Sequence, residues 1–170
     1  MYYLCSIKTD KDMKKIIIIL ITLIIVCVGV SAQTRYKMKF TEPNGVNPML
    51  VCTNMDFGGY KIDVMFDTGS TCTQLPYSDY VALKHRKVIG EHNFVGYVKT
   101  CVANGTVTAQ KPKYKIKSVV IGGIKVSNIE VVFDISNKSN THRLIGQNFL
   151  RHFDKVEFDF NNKEIVLIIK

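Results

Sequence analysis

This sequence has few prolines and no excess of glycine or cysteine. The 170 residues include 4 prolines, 11 glycines and 5 cysteines, with 46% hydrophobic and 22% charged residues. This composition excludes a collagen-like chain, a coiled coil and a wholly disordered chain. It is typical of one ordinary globular domain.

The cysteines and histidines lack any spacing that is typical of a metal site. Cys52, Cys72 and Cys101 follow no zinc-binding pattern, and no histidine is close enough in sequence to complete one. The four histidines form no His-Glu-x-x-His run. We therefore expect neither a metal nor a cofactor. Because three is an odd number, at least one of these cysteines should be free or bridge two chains.

Charge is missing from a stretch near the N-terminus. Lys14 and Lys15 precede an apolar run of fifteen residues, 16–30, and Val-Ser-Ala at 30–32 offers the small residues that signal peptidase requires. A helix that spans a membrane needs roughly 20 residues, which is more than this run provides. We therefore expect residues 1–32 to be a signal peptide.

Several expectations follow from that assignment. The true start of the signal peptide would be Met13, and residues 33–170 would form one exported domain, periplasmic or secreted, with no stable membrane span. A retained membrane anchor is the alternative.

Acidic residues are outnumbered by basic ones. The chain has 23 Lys and Arg against 14 Asp and Glu, a formal net charge of +9. The lysines are scattered, and those from Lys111 to Lys117 alternate with other residues. That alternation is typical of one solvated face of a strand. We therefore expect no nucleic-acid partner.

Short strands separated by turn residues follow Gln33, so the fold class is mainly β. Helices are expected only at 78–84 and 147–152. Strands are expected at 35–40, 49–55, 60–66, 73–75, 95–102, 106–109, 114–121, 124–133, 156–160 and 165–169.

One apolar strand ends on an acid, in the string Val64-Met65-Phe66-Asp67-Thr68-Gly69-Ser70. A carboxylate at a buried strand end needs hydrogen-bond donors, and a tight turn at Gly69 lets backbone N–H groups face it. The Ser70 hydroxyl is expected to donate to the same carboxylate. Taken alone, the string fits either a catalytic acid or an ordinary turn that caps a strand.

A second string lies downstream and reads Leu144-Ile145-Gly146-Gln147-Asn148-Phe149-Leu150. It supplies two apolar residues and a glycine before a short helix. Together the two strings resemble the aspartic proteases of the retroviral, single-lobe type, and especially their bacterial retropepsin-like relatives. The resemblance covers most of residues 49–170. It implies a closed, barrel-like single lobe with one or two short helices.

The resemblance assigns roles to the residues of both strings. It makes Asp67 the catalytic carboxylate, while Thr68 would lock the active-site loops and Gly69 would line the substrate groove, with Ser70 in the same loop. It places a flap tip at Ala103, Asn104 and Gly105, and loop support at Leu144, Ile145 and Gly146. Two positions depart from the retroviral pattern, since Thr71 and Gln147 replace an Asp and an Arg that form an ion pair.

The chemistry requires more than one such aspartate. Hydrolysis by this route needs two carboxyl groups that share a proton, one acting as base and the other as acid. Asp63 and Asp79 lack the glycine and the apolar flanks of Asp67. The second carboxylate must then come from a second copy, which predicts a homodimer.

The apolar run 165–169 also favours a dimer, because an exposed edge strand of this kind promotes aggregation unless it is covered. We expect it to pair with the same strand of a partner. Completion of a sheet within one chain is the alternative.

The sequence therefore predicts an aspartic endopeptidase that acts on a peptide or protein substrate. One alternative is a non-catalytic module that binds an extended peptide in the same groove. Another is a structural β domain of the cell envelope, whose Asp-Thr-Gly is only a turn.

Overall fold

The computed structural model describes residues 14–15, 33–42, 50–101, 107–139 and 142–169. The expected flap tip, Ala103 to Gly105, lies outside the described residues. So does the expected signal peptide apart from Lys14 and Lys15. Thr34–Ile169 forms one compact unit.

Ten strands and two α-helices make up the described part of this unit. The strands are β1 (Thr34–Thr41), β2 (Leu50–Phe57), β3 (Tyr60–Phe66), β4 (Thr73–Pro76), β5 (Phe94–Cys101), β6 (Val107–Ile121), β7 (Ile124–Asp134), β8 (Leu144–Ile145), β9 (Lys155–Asp159) and β10 (Glu164–Ile169). The helices are α1 (Tyr77–His85) and α2 (Gln147–Leu150), and a short 3₁₀ turn spans Glu91–Asn93.

Six of the strands close into a barrel. The pairing runs β2-β3-β8-β4-β7-β6, and β6 returns to β2 through the pairs Asp56↔Val120 and Phe57↔Val119. β5 extends the wall beyond β6, while β1, β10 and β9 extend it beyond β2. The expected fold class, a mainly β closed single lobe with two short helices, is confirmed.

Alternation along the strands places one set of side chains inside the barrel. Phe57, Leu75, Ile116 and Ile145 are fully buried there. The β2–β3 hairpin turns at Gly58 and Gly59, whose φ angles of 64° and 94° favour glycine. The strands expected at 49–55 and 60–66 are thus joined as one hairpin.

The terminal strand does not pair as expected. β10 lies between β1 and β9, with antiparallel registers Thr34↔Ile169 and Glu164↔Asp159. Ile165 and Leu167 point into the core and are fully buried. The expectation that this strand pairs with a partner chain is wrong, because both of its edges are already occupied within the chain.

β6 also differs from expectation. The two strands expected at 106–109 and 114–121 are one continuous strand that runs through the buried Pro112, which lies opposite Tyr97 of β5. The expectation of a solvated lysine face is wrong for Lys111, which is 6% exposed and forms an ion pair with Asp134.

α2 ends at Leu150, two residues before the expected end. No helix among the described residues is long and apolar enough to cross a membrane.

Candidate active site

The two motif strings meet at the ends of adjacent parallel strands. β3 pairs with β8 through Met65↔Leu144 and Phe66↔Ile145. The backbone N–H of Asp67 donates to the carbonyl of Ile145 at 3.0 Å, which continues the ladder beyond the strand. The parallel pairing therefore fixes the backbone of Asp67 against the second string.

Backbone donors hold one oxygen of the Asp67 carboxylate. Oδ1 accepts from the N–H of Gly69 at 2.9 Å and from the N–H of Ser70 at 3.2 Å. Among the described residues, none donates a hydrogen bond to Oδ2. The half-buried carboxylate thus has one oxygen fixed and one available to a water or a substrate.

The Ser70 hydroxyl does not reach the carboxylate. It donates instead to the carbonyl of Cys72 at 2.8 Å, so it links the loop to the main chain just before β4. The expectation that the hydroxyl donates to Asp67 is wrong, although the backbone N–H of the same residue makes that contact.

Gly146 packs directly against the loop. A Cβ atom at this position would lie 2.4 Å from the carbonyl oxygen of Cys72 and 2.8 Å from that of Ser70. Real Cβ atoms do not approach backbone this closely. Of the three residues expected to support the loop, Gly146 does so by leaving space, while the buried Ile145 anchors β8 in the core.

The start of α2 binds the loop through hydrogen bonds. The side-chain Nε2 of Gln147 donates to the carbonyl of Thr68 at 2.8 Å, and its backbone N–H donates to the carbonyl of Ser70 at 2.8 Å. The backbone N–H of Asn148 donates to the carbonyl of Thr71 at 3.2 Å. Gln147 is one of the two positions that depart from the retroviral pattern, and here its side-chain amide and its backbone N–H both bind the loop.

Asn148 also supports the site, a role that the sequence did not predict. Its Oδ1 accepts from the backbone N–H of Thr73 at 2.6 Å and from the hydroxyl of Thr73 at 2.9 Å. Its Nδ2 donates to the carbonyl of Glu130 at 2.7 Å. One side chain therefore joins α2, β4 and β7. No local sequence signal marks this role, because polar residues near the start of a helix are common.

Asp79 and Arg143 form a second support. The fully buried carboxylate of Asp79 accepts from Arg143 Nε at 2.6 Å, from Arg143 Nη2 at 2.9 Å and from the Tyr60 hydroxyl at 2.9 Å. The hydrogen bond to Asp79 raises the pKa of Arg143, and burial together with Asp79 raises the pKa of Tyr60. Since the carbonyl of Arg143 accepts from Met65 at 2.8 Å, this pair ties α1 to the strands that carry the site.

Of the remaining expected site residues, Leu144 is half-buried on β8, and Ala103, Asn104 and Gly105 lie outside the described residues. Thr68 and Gly69 lie at the exposed tip of the loop. Cys52 and Cys72 are both free, and burial raises the pKa of the Cys52 thiol to about 12. Among the described residues, no three His, Cys, Asp or Glu side chains are grouped as a metal site requires.

Comparisons with known proteins identify a family and a fold. The model of a family described as gag-polyprotein putative aspartyl protease matches residues 53–152, which include both strings. Among solved structures, a retropepsin-like aspartic protease from Rickettsia conorii matches with a TM-score of 0.58 and 18% identity, over 81% of this chain and 92% of that one. No protein with a curated description matches the sequence. The chain belongs to the gag-polyprotein putative aspartyl protease family, and it has the fold of a retropepsin-like aspartic protease.

Proposed function

We propose that the protein is an aspartic endopeptidase that acts as a homodimer, with one Asp67 from each copy. The observation that carries the proposal is the Asp67 carboxylate, which has Oδ1 fixed by two backbone N–H groups and Oδ2 without a described donor. A carboxylate in this state is positioned to bind water while its orientation stays fixed.

In the proposed mechanism, one of two equivalent carboxyl groups acts as the base and the other as the acid. Two carboxylates at close range cannot both be ionised, so the pair holds one proton. The ionised member takes a proton from the attacking water, and the protonated member donates to the substrate carbonyl as the tetrahedral intermediate forms. Collapse of that intermediate expels the amine, which receives a proton from the pair.

The need for a second copy follows from the other carboxylates of the chain. Asp79 is buried in its contacts with Arg143 and Tyr60, so it is not available to a water. Asp63 is exposed on β3 and accepts from the backbone N–H of Asn54. Asp159 lies in the terminal hairpin, with its two oxygens bound to Asn162. A dimer in which the exposed loop tips of two copies meet would bring two Asp67 side chains together.

Substrate and location complete the proposal. An extended peptide would lie across the paired loops, and the flap expected at Ala103, Asn104 and Gly105 would cover it. Thr68 would contact the loop of the other copy. Export after removal of residues 1–32, to the periplasm or outside the cell, is supported by the apolar run and its small-residue cleavage site.

The test is a cleavage assay with the purified protein on a degenerate peptide library, beside Asp67→Asn. We expect cleavage by the wild type and a loss of at least 10³-fold in Asp67→Asn, because the substituted amide cannot act as base. Asp63→Asn is the matched control, since it changes an exposed carboxylate of the same strand and should retain full activity. Equal cleavage by wild type and Asp67→Asn would overturn the proposal.

A further inference from the structure

The barrel wall beside Asp67 has an outer face that the proposed mechanism does not use. Leu144 pairs with Met65 of β3 on one side and with Gln74 of β4 on the other. Thr73 and Leu75 point into the barrel and are buried, so the half-buried Gln74 between them lies on the outer face. Asp67 shares that face with Met65, because the buried Phe66 separates them.

Gln74 is close enough to the site to contact a bound peptide. Adjacent strands are about 4.8 Å apart, so Gln74 is about 10 Å from the strand that ends at Asp67. An extended peptide advances about 3.3 Å per residue. A side chain within two or three residues of the scissile bond therefore falls within reach of Gln74.

A buried ion pair lies beside Gln74 on the neighbouring strands β6 and β7. Lys111 Nζ is 3.0 Å from Asp134 Oδ2, and each of the two side chains is only 8% exposed. Asp134 Oδ1 accepts from the Ser136 hydroxyl at 3.1 Å. Lys111 Nζ is also 3.4 Å from Gln74 Oε1.

The ion pair fixes which way the Gln74 amide faces. An ammonium group can only donate, so the carbonyl oxygen of the amide must point towards Lys111. The amide nitrogen then points away from the ion pair. Among the described residues, none accepts a hydrogen bond from this nitrogen. Gln74 consequently offers two oriented donors on the face beside Asp67.

We propose that Gln74 is a specificity-determining residue that recognises a substrate side chain bearing a carbonyl oxygen, as in Asn, Gln, Asp or Glu, near the scissile bond. This inference rests on the proposed function. An apolar substrate side chain at the same place would leave the Gln74 donors unpaired and desolvated, which penalises its binding.

The test compares matched peptides that differ only in Gln or Leu at one position, with the cleavage site first mapped in the degenerate library. For the wild type we expect kcat/KM for the Gln peptide to exceed that for the Leu peptide by roughly 3- to 10-fold, the equivalent of one net hydrogen bond. Gln74→Leu should abolish or reverse that ratio. Gln110→Leu, the same change at an exposed position of β6, should leave it intact.

Gln74→Glu provides a second variant of nearly the same shape. Its carboxylate would still accept from Lys111 but would present an acceptor to the substrate, so we expect preference to move towards Lys and Arg. An unchanged Gln-to-Leu ratio in Gln74→Leu, with the variant folded by circular dichroism, would overturn the inference.

Peptide-binding measurements distinguish this inference from the proposed function, because binding does not require cleavage. Peptides that differ only in Gln or Leu are selected from the library by binding to Asp67→Asn, so that their design needs no cleavage, and their dissociation constants are measured on wild type, Asp67→Asn and Gln74→Leu. If no peptide is cleaved but the Gln peptide binds more tightly and Gln74→Leu removes that difference, the proposed function fails and the role of Gln74 stands. If peptides are cleaved without any such difference, the role of Gln74 fails alone.

Discussion

At the scale of single residues, Gly146 shows how little space the site leaves. Its backbone angles, φ −96° and ψ −177°, are ones that any residue adopts, so a substitution there meets no conformational strain. The obstacle is the backbone of Cys72 and Ser70, which cannot move without moving Asp67. Glycine is required at this position because two segments of main chain touch.

We predict that Gly146→Ala costs about 1 to 3 kcal/mol of unfolding free energy, as overpacking typically does. Peptidase activity should fall by about 10²-fold, because the loop must shift. Urea unfolding and kcat/KM measure the two effects. Gly90→Ala is the control, since its Cβ meets only the exposed His92 ring at 3.3 Å. Equal behaviour of both variants would contradict the packing argument.

Ser70 gives a prediction about the stability of the loop. Because its hydroxyl donates to the carbonyl of Cys72, Ser70→Ala removes a loop hydrogen bond and costs about 1 kcal/mol of stability. The backbone donors to Asp67 remain, so kcat/KM should fall by less than about tenfold. Urea unfolding and kcat/KM measure the two effects, and a loss of activity as large as that of Asp67→Asn would mean that the hydroxyl acts on the carboxylate after all.

The sequence predicted the residues of the loop but not all of its supports. Asp67 and Gly69 are recognisable because a turn is a local structure whose residue types follow from its own geometry. The Gln147 side chain donates to Thr68, 79 positions earlier in the chain, and Asn148 accepts from Thr73, 75 positions earlier. A polar residue at the start of a helix is common, so nothing in its own sequence neighbourhood indicates so distant a partner.

At the scale of the elements, ion pairs between side chains connect the strands of the three-stranded extension β1-β10-β9. Glu164 lies 2.9 Å from Lys39 Nζ and 3.3 Å from Lys37 Nζ. Hydrogen bonds from Lys39 and Lys37 lower the pKa of Glu164 below its ordinary value. The ionised glutamate therefore stabilises the folded state at neutral pH, and this contribution is lost as the pH falls through the lowered pKa.

We predict that Glu164→Gln melts at a lower temperature than the wild type at pH 7, and that the difference shrinks towards zero between about pH 5 and pH 3. Thermal melts at pH 7, 5 and 3 measure this. Glu91→Gln, at an exposed glutamate without an ion pair among the described residues, should give no such convergence. A difference that persists at pH 3 would exclude the ionised pair as its cause.

Element boundaries were predictable where turn residues mark them. The paired glycines at 58–59 and 122–123 both lie in hairpin turns. The strands expected at 106–109 and 114–121 are one strand, because β6 continues through Pro112 although proline lacks the N–H that a ladder hydrogen bond needs. The neighbours of β10 were not predictable, since an apolar strand indicates burial without identifying the strands that cover it.

At the scale of the whole molecule, the proposed active unit contains two chains that contribute equally. Because β10 is enclosed within its own chain, the terminal strand no longer argues for a dimer. The argument rests on the single available Asp67 and on the exposed tip of its loop.

Mixed assembly tests that argument directly. We predict that wild-type and Asp67→Asn chains, co-refolded at a wild-type fraction f, show activity proportional to f squared, because each site needs two intact aspartates. The control mixes wild type with Asp63→Asn, for which activity should not depend on f. A linear dependence on f in the first mixture would place the second carboxylate within the same chain.

The enclosure of β10 affects the order in which the protein is made and folded. β1 leaves the ribosome early, but its partner over Thr34–Lys39 is the strand Glu164–Ile169. At synthesis rates of about 5 to 20 residues per second, β1 waits roughly ten seconds for that partner. Any chain whose translation stops before Glu164 leaves residues 34–39 of β1 without the strand they pair with, and only Phe40 and Thr41 paired with β2. It also leaves β9 without its only neighbour in the described sheet. Such fragments would expose strand edges and are expected to be cleared by proteases rather than to accumulate as partly active protein.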